Sequence, residues 1–137
     1  MRLWEVVMEF LLKLHGEMRW LVALAGAAVL VRSVLGWARG AEFRGLDRGM
    51  MAAFTGLLDL NFLMGLVLLV GLEGGWTSGR VEHVTTMFLA VVAAHLAAMW
   101  RRSDDAARKF RNNLFVVAGA LALVLLGVIR LRGGWIF

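Results

Sequence analysis

The sequence predicts an all-α integral membrane protein, an antiparallel four-helix bundle. The first reason is composition: 61% of the 137 residues are hydrophobic and the mean hydropathy is +0.75. A soluble domain of this length could not hide so much apolar surface. The second is pattern, because apolar runs long enough to cross a bilayer recur four times between charged clusters. The third is spacing: the connections are short, so consecutive spans run in opposite directions. One domain, 1–137, is expected, with spans at about 12–36, 50–72, 80–100 and 112–131.

The N-terminal stretch 1–14 is amphipathic, with Arg2, Glu5, Glu9 and Lys13 recurring at helical spacing among apolar residues. It reads as an interfacial helix or as the outer turns of span one. Glu5 and Glu9 would interrupt the apolar core of a secretory signal, so none is expected. His15, Glu17, Arg19 and Trp20 follow, and the apolar run after them ends at Arg32. The segment WARGAEFRGLDRG is a charged loop, and span two behind it is interrupted by Asp59 and Asn61. GLEGGWTSGR is a Gly-rich turn in which Thr77 or Ser78 serves as the N-cap of span three. A second charged loop, 101–113, precedes span four, and Arg130, Arg132 and Trp135 suit a C-terminal interfacial anchor. Small residues mark places for close helix approach: 25–28, Gly36, Gly56, Gly65, 93–98, Gly119 and Gly127.

The absence of cysteine excludes disulfides, iron–sulfur clusters, thiolate-ligated zinc and covalently attached haem. The formal net charge is +5, but the arginines flank apolar runs. They point to topology and anionic lipid rather than to nucleic acid. Arg39, Arg44 and Arg48 follow span one, and Arg101, Arg102, Arg108, Lys109 and Arg111 follow span three. The positive-inside rule puts these loops in the cytoplasm and both termini outside. The lipid bilayer is the first expected partner.

Three histidines carry the chemistry. His15 opens span one and His83 opens span three, so both lie near the same membrane face. Two imidazoles at one depth on different helices of a bundle can coordinate a single haem iron, and bundle cores are where such sites are built. Non-covalent haem b needs no cysteine. Arg19, Arg80 and Arg130 are available on that side for the propionates. The competing reading has both rings as interfacial residues satisfied by headgroups or water. Glu82 could orient the His83 ring or act as a helix-dipole partner. His15, Glu17, Glu82 and His83 match no recognised zinc spacing.

His95 lies about 18 Å further along span three than His83, and Asp59 falls at a similar depth on span two. A lone carboxylate there is costly, so a buried Asp59–His95 pair is expected. It reads as a clasp fixing helix register, or alternatively as a proton path or a contact for a quinone head. Arg48, Thr55 and Asp59 share a face of span two. Twelve residues place His83 and His95 about 120° apart, which argues against two stacked haems. GLEGG and TSGR lack the context of a phosphate loop, and no Ser–His–Asp arrangement is evident.

The segments LHGEMRWLV (14–22), LGW (35–37), LDR (46–48), LLDLNFLMGL (57–66) and VEHVTTM (81–87) resemble a small family. Its members are four-span bacterial membrane proteins loosely named cytochrome b-like or b561-like, and the resemblance covers most of the chain. It implies a b-type haem protein of the bacterial plasma membrane working in electron transfer, with His15 and His83 at the family's histidine positions. Similar proteins carry a histidine near the position of Asp59, so no ligand from span two is implied.

The function expected is therefore an electron carrier, an anchor or quinone-reactive subunit of a larger redox complex rather than a stand-alone enzyme. Other redox subunits or a second copy of the chain are the partners in that reading. The alternative is a non-redox accessory or assembly subunit with a structural Asp–His pair. A proton-coupled transporter is a third class, weakened by four spans without an internal repeat.

Overall fold

No proline interrupts the chain, so each apolar run can complete its ladder of i→i−4 hydrogen bonds. In the computed structural model, which describes residues 2–135, four long helices result: α1 Leu3–Ala38, α2 Gly45–Gly71, α3 Ser78–His95 and α4 Ala106–Arg132. A 3₁₀ turn, Leu96–Met99, extends α3. Met1, Ile136 and Phe137 lie outside the described residues. All four helices are long and apolar enough to cross a membrane, consistent with a multi-pass membrane protein.

The amphipathic N-terminal stretch is continuous with span one. This makes α1 a 36-residue helix of about 54 Å at 1.5 Å per residue, well beyond the ~30 Å hydrocarbon layer. Helix ends follow local chemistry. Thr77 Oγ1 accepts the Arg80 backbone N–H at 3.3 Å, and Asp105 Oδ1 accepts that of Arg108 at 3.1 Å. Gly133 ends α4 at φ 79°, a left-handed position that only glycine adopts without strain.

Consecutive helices are antiparallel, and paired residues fix each register. On α1 and α2, Met8 meets Gly71, His15 meets Gly65 and Arg32 meets Asp47. On α1 and α4, Gly26 meets Leu121 and Gly36 meets Phe110. On α3 and α4, His83 meets Gly127, and Trp100 Nε1 donates to Asn113 Oδ1 at 2.7 Å. The α2–α3 seam joins Phe62 to Phe88 and Asp59 to His95, and it is the least extensive of the four.

The core runs through Val22, Val29, Met51, Phe54, Leu58, Ala90, Ala94, Val117, Ala120, Val124 and Val128. Four of the expected small residues do bring helices together. A Cβ on Gly26, Gly36, Gly65 or Gly127 would press on Leu121, Phe110, His15 or Met87 respectively. Gly56 and Gly119 do not, because nothing lies within 4 Å of a Cβ built there.

At the end of the bundle carrying the two basic loops, Arg32 Nε donates to Asp47 Oδ1 at 2.6 Å. Asp47 also accepts the Arg44 backbone N–H at 2.8 Å. The first turns of α1, the last turns of α4 and the histidine pair occupy the opposite end.

Candidate functional site

His15 sits on the inward stripe of α1. Met8, Val22 and Val29, each buried, fall on one seven-residue repeat, and His15 takes the vacant place between the first two. His83 does the same on α3, where Ala90 and Ala94 are fully buried and recur at helical spacing behind it. Both rings therefore point into the bundle, with centroids 6.2 Å apart and planes at 88°.

Each ring is held by a backbone carbonyl. His15 Nδ1 donates to the Asn61 carbonyl at 3.0 Å, and His83 Nδ1 donates to the Gly127 carbonyl at 3.1 Å. A carbonyl oxygen only accepts, so the proton of a neutral ring sits on Nδ1, and Nε2 keeps its lone pair. Gly65 makes the first bond reachable. It stands four residues after Asn61, and a Cβ there would lie 3.0 Å from His15 Cε1. The side-chain oxygen of Asn61 is buried without a hydrogen-bond partner.

The pair lines a cavity of about 510 Å³, within the range of small-molecule and cofactor sites. Its wall is apolar, with Val22, Leu58, Phe62, Met87, Val124 and Val128. Lys13, Arg19, Arg132, Glu9 and Glu17 supply its charged lining. Arg19 is only 7% exposed. Its Nε donates to the Trp135 carbonyl at 3.1 Å and its Nη1 to the Gly16 carbonyl. The guanidinium lies against the Trp20 and Trp135 rings, and no carboxylate among the described residues is within 4.0 Å of it.

Two of the expected cations lie elsewhere. Arg80 Nη1 folds back on its own loop, donating to the carbonyls of Glu73 and Gly75. Arg130 pairs with Glu82 at 3.2 Å on the outside of the bundle. That pairing also takes Glu82 away from the His83 ring, whose orienting partner is the Gly127 carbonyl instead. The cations that sequence reasoning missed are Lys13 and Arg132. A helical wheel holds the signal for Arg132: it continues the stripe of Val124 and Val128, whereas Arg130 points about 200° away from it.

The Asp59–His95 contact forms, with His95 Nε2 at 2.8 and 2.9 Å from the two carboxylate oxygens. The expected burial does not. The side chains are 53% (His95) and 37% (Asp59) exposed, because Ala94 takes the inward position and turns His95 about 100° away. Thr55 bonds the carbonyls of Met51 and Ala52 on its own helix and extends no polar stripe to the pair.

No protein-family model, curated protein or solved structure matches this chain. The chemistry of the site therefore rests on its own geometry. Among the described residues no group of three or more His, Asp or Glu side chains could hold a metal ion. Two imidazoles suit an ion that arrives with its remaining ligands.

Proposed function

We propose that this chain is a membrane-embedded b-type haem protein that carries electrons, in which His15 and His83 would hold the haem iron. One observation carries the reading. Two imidazoles from different helices lie side by side in one cavity and would hold a single iron between them. Their centroids are 6.2 Å apart, and both rings keep Nε2 available because Nδ1 is committed to a carbonyl. Metal-bound histidines almost always donate the other ring N–H in this way.

The cavity suits such a guest. Its apolar wall matches a macrocycle, and Lys13, Arg19 and Arg132 match two carboxylates at its edge. Haem supplies one-electron redox chemistry, whose potential is tuned by its ligands and their surroundings. The protein holds the rings, excludes water from one side and sets the charge at the rim. The distribution of arginines supports a site towards the outer face of a bacterial plasma membrane, in a carrier or subunit of a larger redox complex.

An absorption spectrum of protein purified from haem-replete cells tests this. A Soret band that shifts on dithionite reduction is expected, and it should be lost in His15→Leu and in His83→Leu but kept in His95→Leu. Wild-type protein without Soret absorption would end the reading. It would leave the second one, a non-redox assembly subunit, which the open helix faces at Gly56 and Gly119 favour.

A further inference from the structure

We propose that the outward face of the α2–α3 seam binds the head of a membrane quinone, with His95 Nδ1 as its hydrogen-bonding contact. This deepens the electron-transfer reading and rests on it, because it names the lipid-phase partner that the haem cavity would serve.

His95 Nε2 donates to both oxygens of Asp59, so its proton is committed inward to the carboxylate. Nδ1 is left over, and it has no hydrogen-bond partner among the described residues. Asp59 stands near the middle of α2, which runs Gly45–Gly71. That is about 21 Å from one end and 18 Å from the other. With its side chain 53% exposed, the His95 ring at this position would meet hydrocarbon, which offers no hydrogen bonds. A ligand that meets it must dissolve in the bilayer, carry no charge and still donate or accept. A quinone does both. Protonated, the ring offers Nδ1–H to a quinone carbonyl; neutral, it accepts from a quinol hydroxyl.

The surroundings suit an aromatic head. Phe88 and Val92 share the outward face of α3 with His95, and each is exposed. Phe88 packs on Phe62 with centroids 6.2 Å apart, and Phe62 with Leu58 lines the histidine cavity from the other side. At Phe62 and Phe88 the seam therefore borders the proposed haem site, with His95 about 10 Å further along α3.

The test titrates a decyl-tailed benzoquinone and a short-chain naphthoquinone into the full-length protein in nanodiscs, reading tryptophan fluorescence. The Soret spectrum and the oligomeric state are recorded on the same samples. Saturable binding of either quinone is expected, weakened at least about tenfold, or 1.4 kcal/mol, by His95→Leu. Val92→Trp, on the lipid-facing surface beside the pair, should weaken it equally while leaving the Asp59–His95 contact in place. Haem present with no saturable binding, or with binding indifferent to both substitutions, overturns the site and leaves the haem reading standing. Haem absent refutes the haem reading alone, and the titration still judges the site on the apoprotein. A wild-type dimer that His95→Leu converts to monomer, with no quinone binding, assigns the seam to a second copy and overturns the proposal.

Discussion

Gly36→Ala and Gly56→Ala make the same chemical change in two helix interiors with opposite surroundings. A Cβ on Gly36 would lie 2.5–2.7 Å from three ring atoms of Phe110. That ring is 1% exposed and has the Arg32 guanidinium over its face at 5.1 Å, so it has little room to retreat. Overpacking of this kind costs about 1–3 kcal/mol. Around Gly56 there is nothing within 4 Å, and replacing a helical glycine by alanine gains roughly 0.5–1 kcal/mol. The propensity gain is common to both variants, so the difference between them isolates the steric cost. Gly56→Ala should be the more stable by about 1–3 kcal/mol, or roughly 3–12 °C in unfolding temperature for a chain of this size. Scans of detergent-solubilised protein by tryptophan fluorescence, at one fixed rate, would measure it. Equal shifts in the two variants would refute the packing of α1 on α4. A destabilised Gly56→Ala would mean that another helix covers that face.

Three further outcomes follow from individual contacts. Asp47→Ala removes both the partner of Arg32 and the acceptor for the Arg44 backbone N–H. Loss of the latter alone costs about 1 kcal/mol, and Asp47→Ala combined with Arg32→Met should recover stability relative to Asp47→Ala, as read by denaturation midpoint. Arg19→Met should lower haem retention during gel filtration, and Arg19→Lys should not restore it. Lysine cannot reproduce the planar fork that serves the Trp135 and Gly16 carbonyls while lying against two indoles. Arg130→Gln should leave retention unchanged, because that side chain points away from the cavity. Equal losses from Arg19→Met and Arg130→Gln would show that the cavity rim has been misassigned.

The four helices and their directions were legible because length, hydropathy and short loops determine them almost alone. The His15–His83 meeting was legible too, since spans one and three run the same way and both histidines open them. The cations were not, for a specific reason. Arg80 and Arg130 stand at the right distance along the chain from a span end, and distance says nothing about rotation around the helix. Counting from Val124 and Val128 would have selected Arg132. Lys13 falls in an amphipathic stretch that the sequence allows either on the membrane surface or as the outer turns of span one, and it reaches the cavity because α1 is continuous through that stretch. The burial of Asp59 and His95 was illegible on different grounds. In water, apolar residues mark the inward face of a helix, but in a bilayer the lipid-facing side is equally apolar. Hydropathy can place a polar pair at a depth without saying whether it faces the bundle or the lipid.

That ambiguity has an energetic consequence which the Asp59–His95 pair can decide. Were the pair a structural clasp, each single replacement by leucine would strand the other group in hydrocarbon, and the double replacement would be nearly neutral. The coupling energy of the cycle would then be large, against the average of ~0.6 kcal/mol for interhelical hydrogen bonds in membrane proteins. With side chains 53% and 37% exposed at the seam, neither group is packed into the core, and in the unfolded state within the membrane each finds other partners. A coupling of about 0.6 kcal/mol is therefore expected in a double-mutant cycle of unfolding midpoints. A value above ~2 kcal/mol, beyond the largest such couplings, would mean that the pair holds the helices together. The seam would then contribute to the fold whatever else it binds.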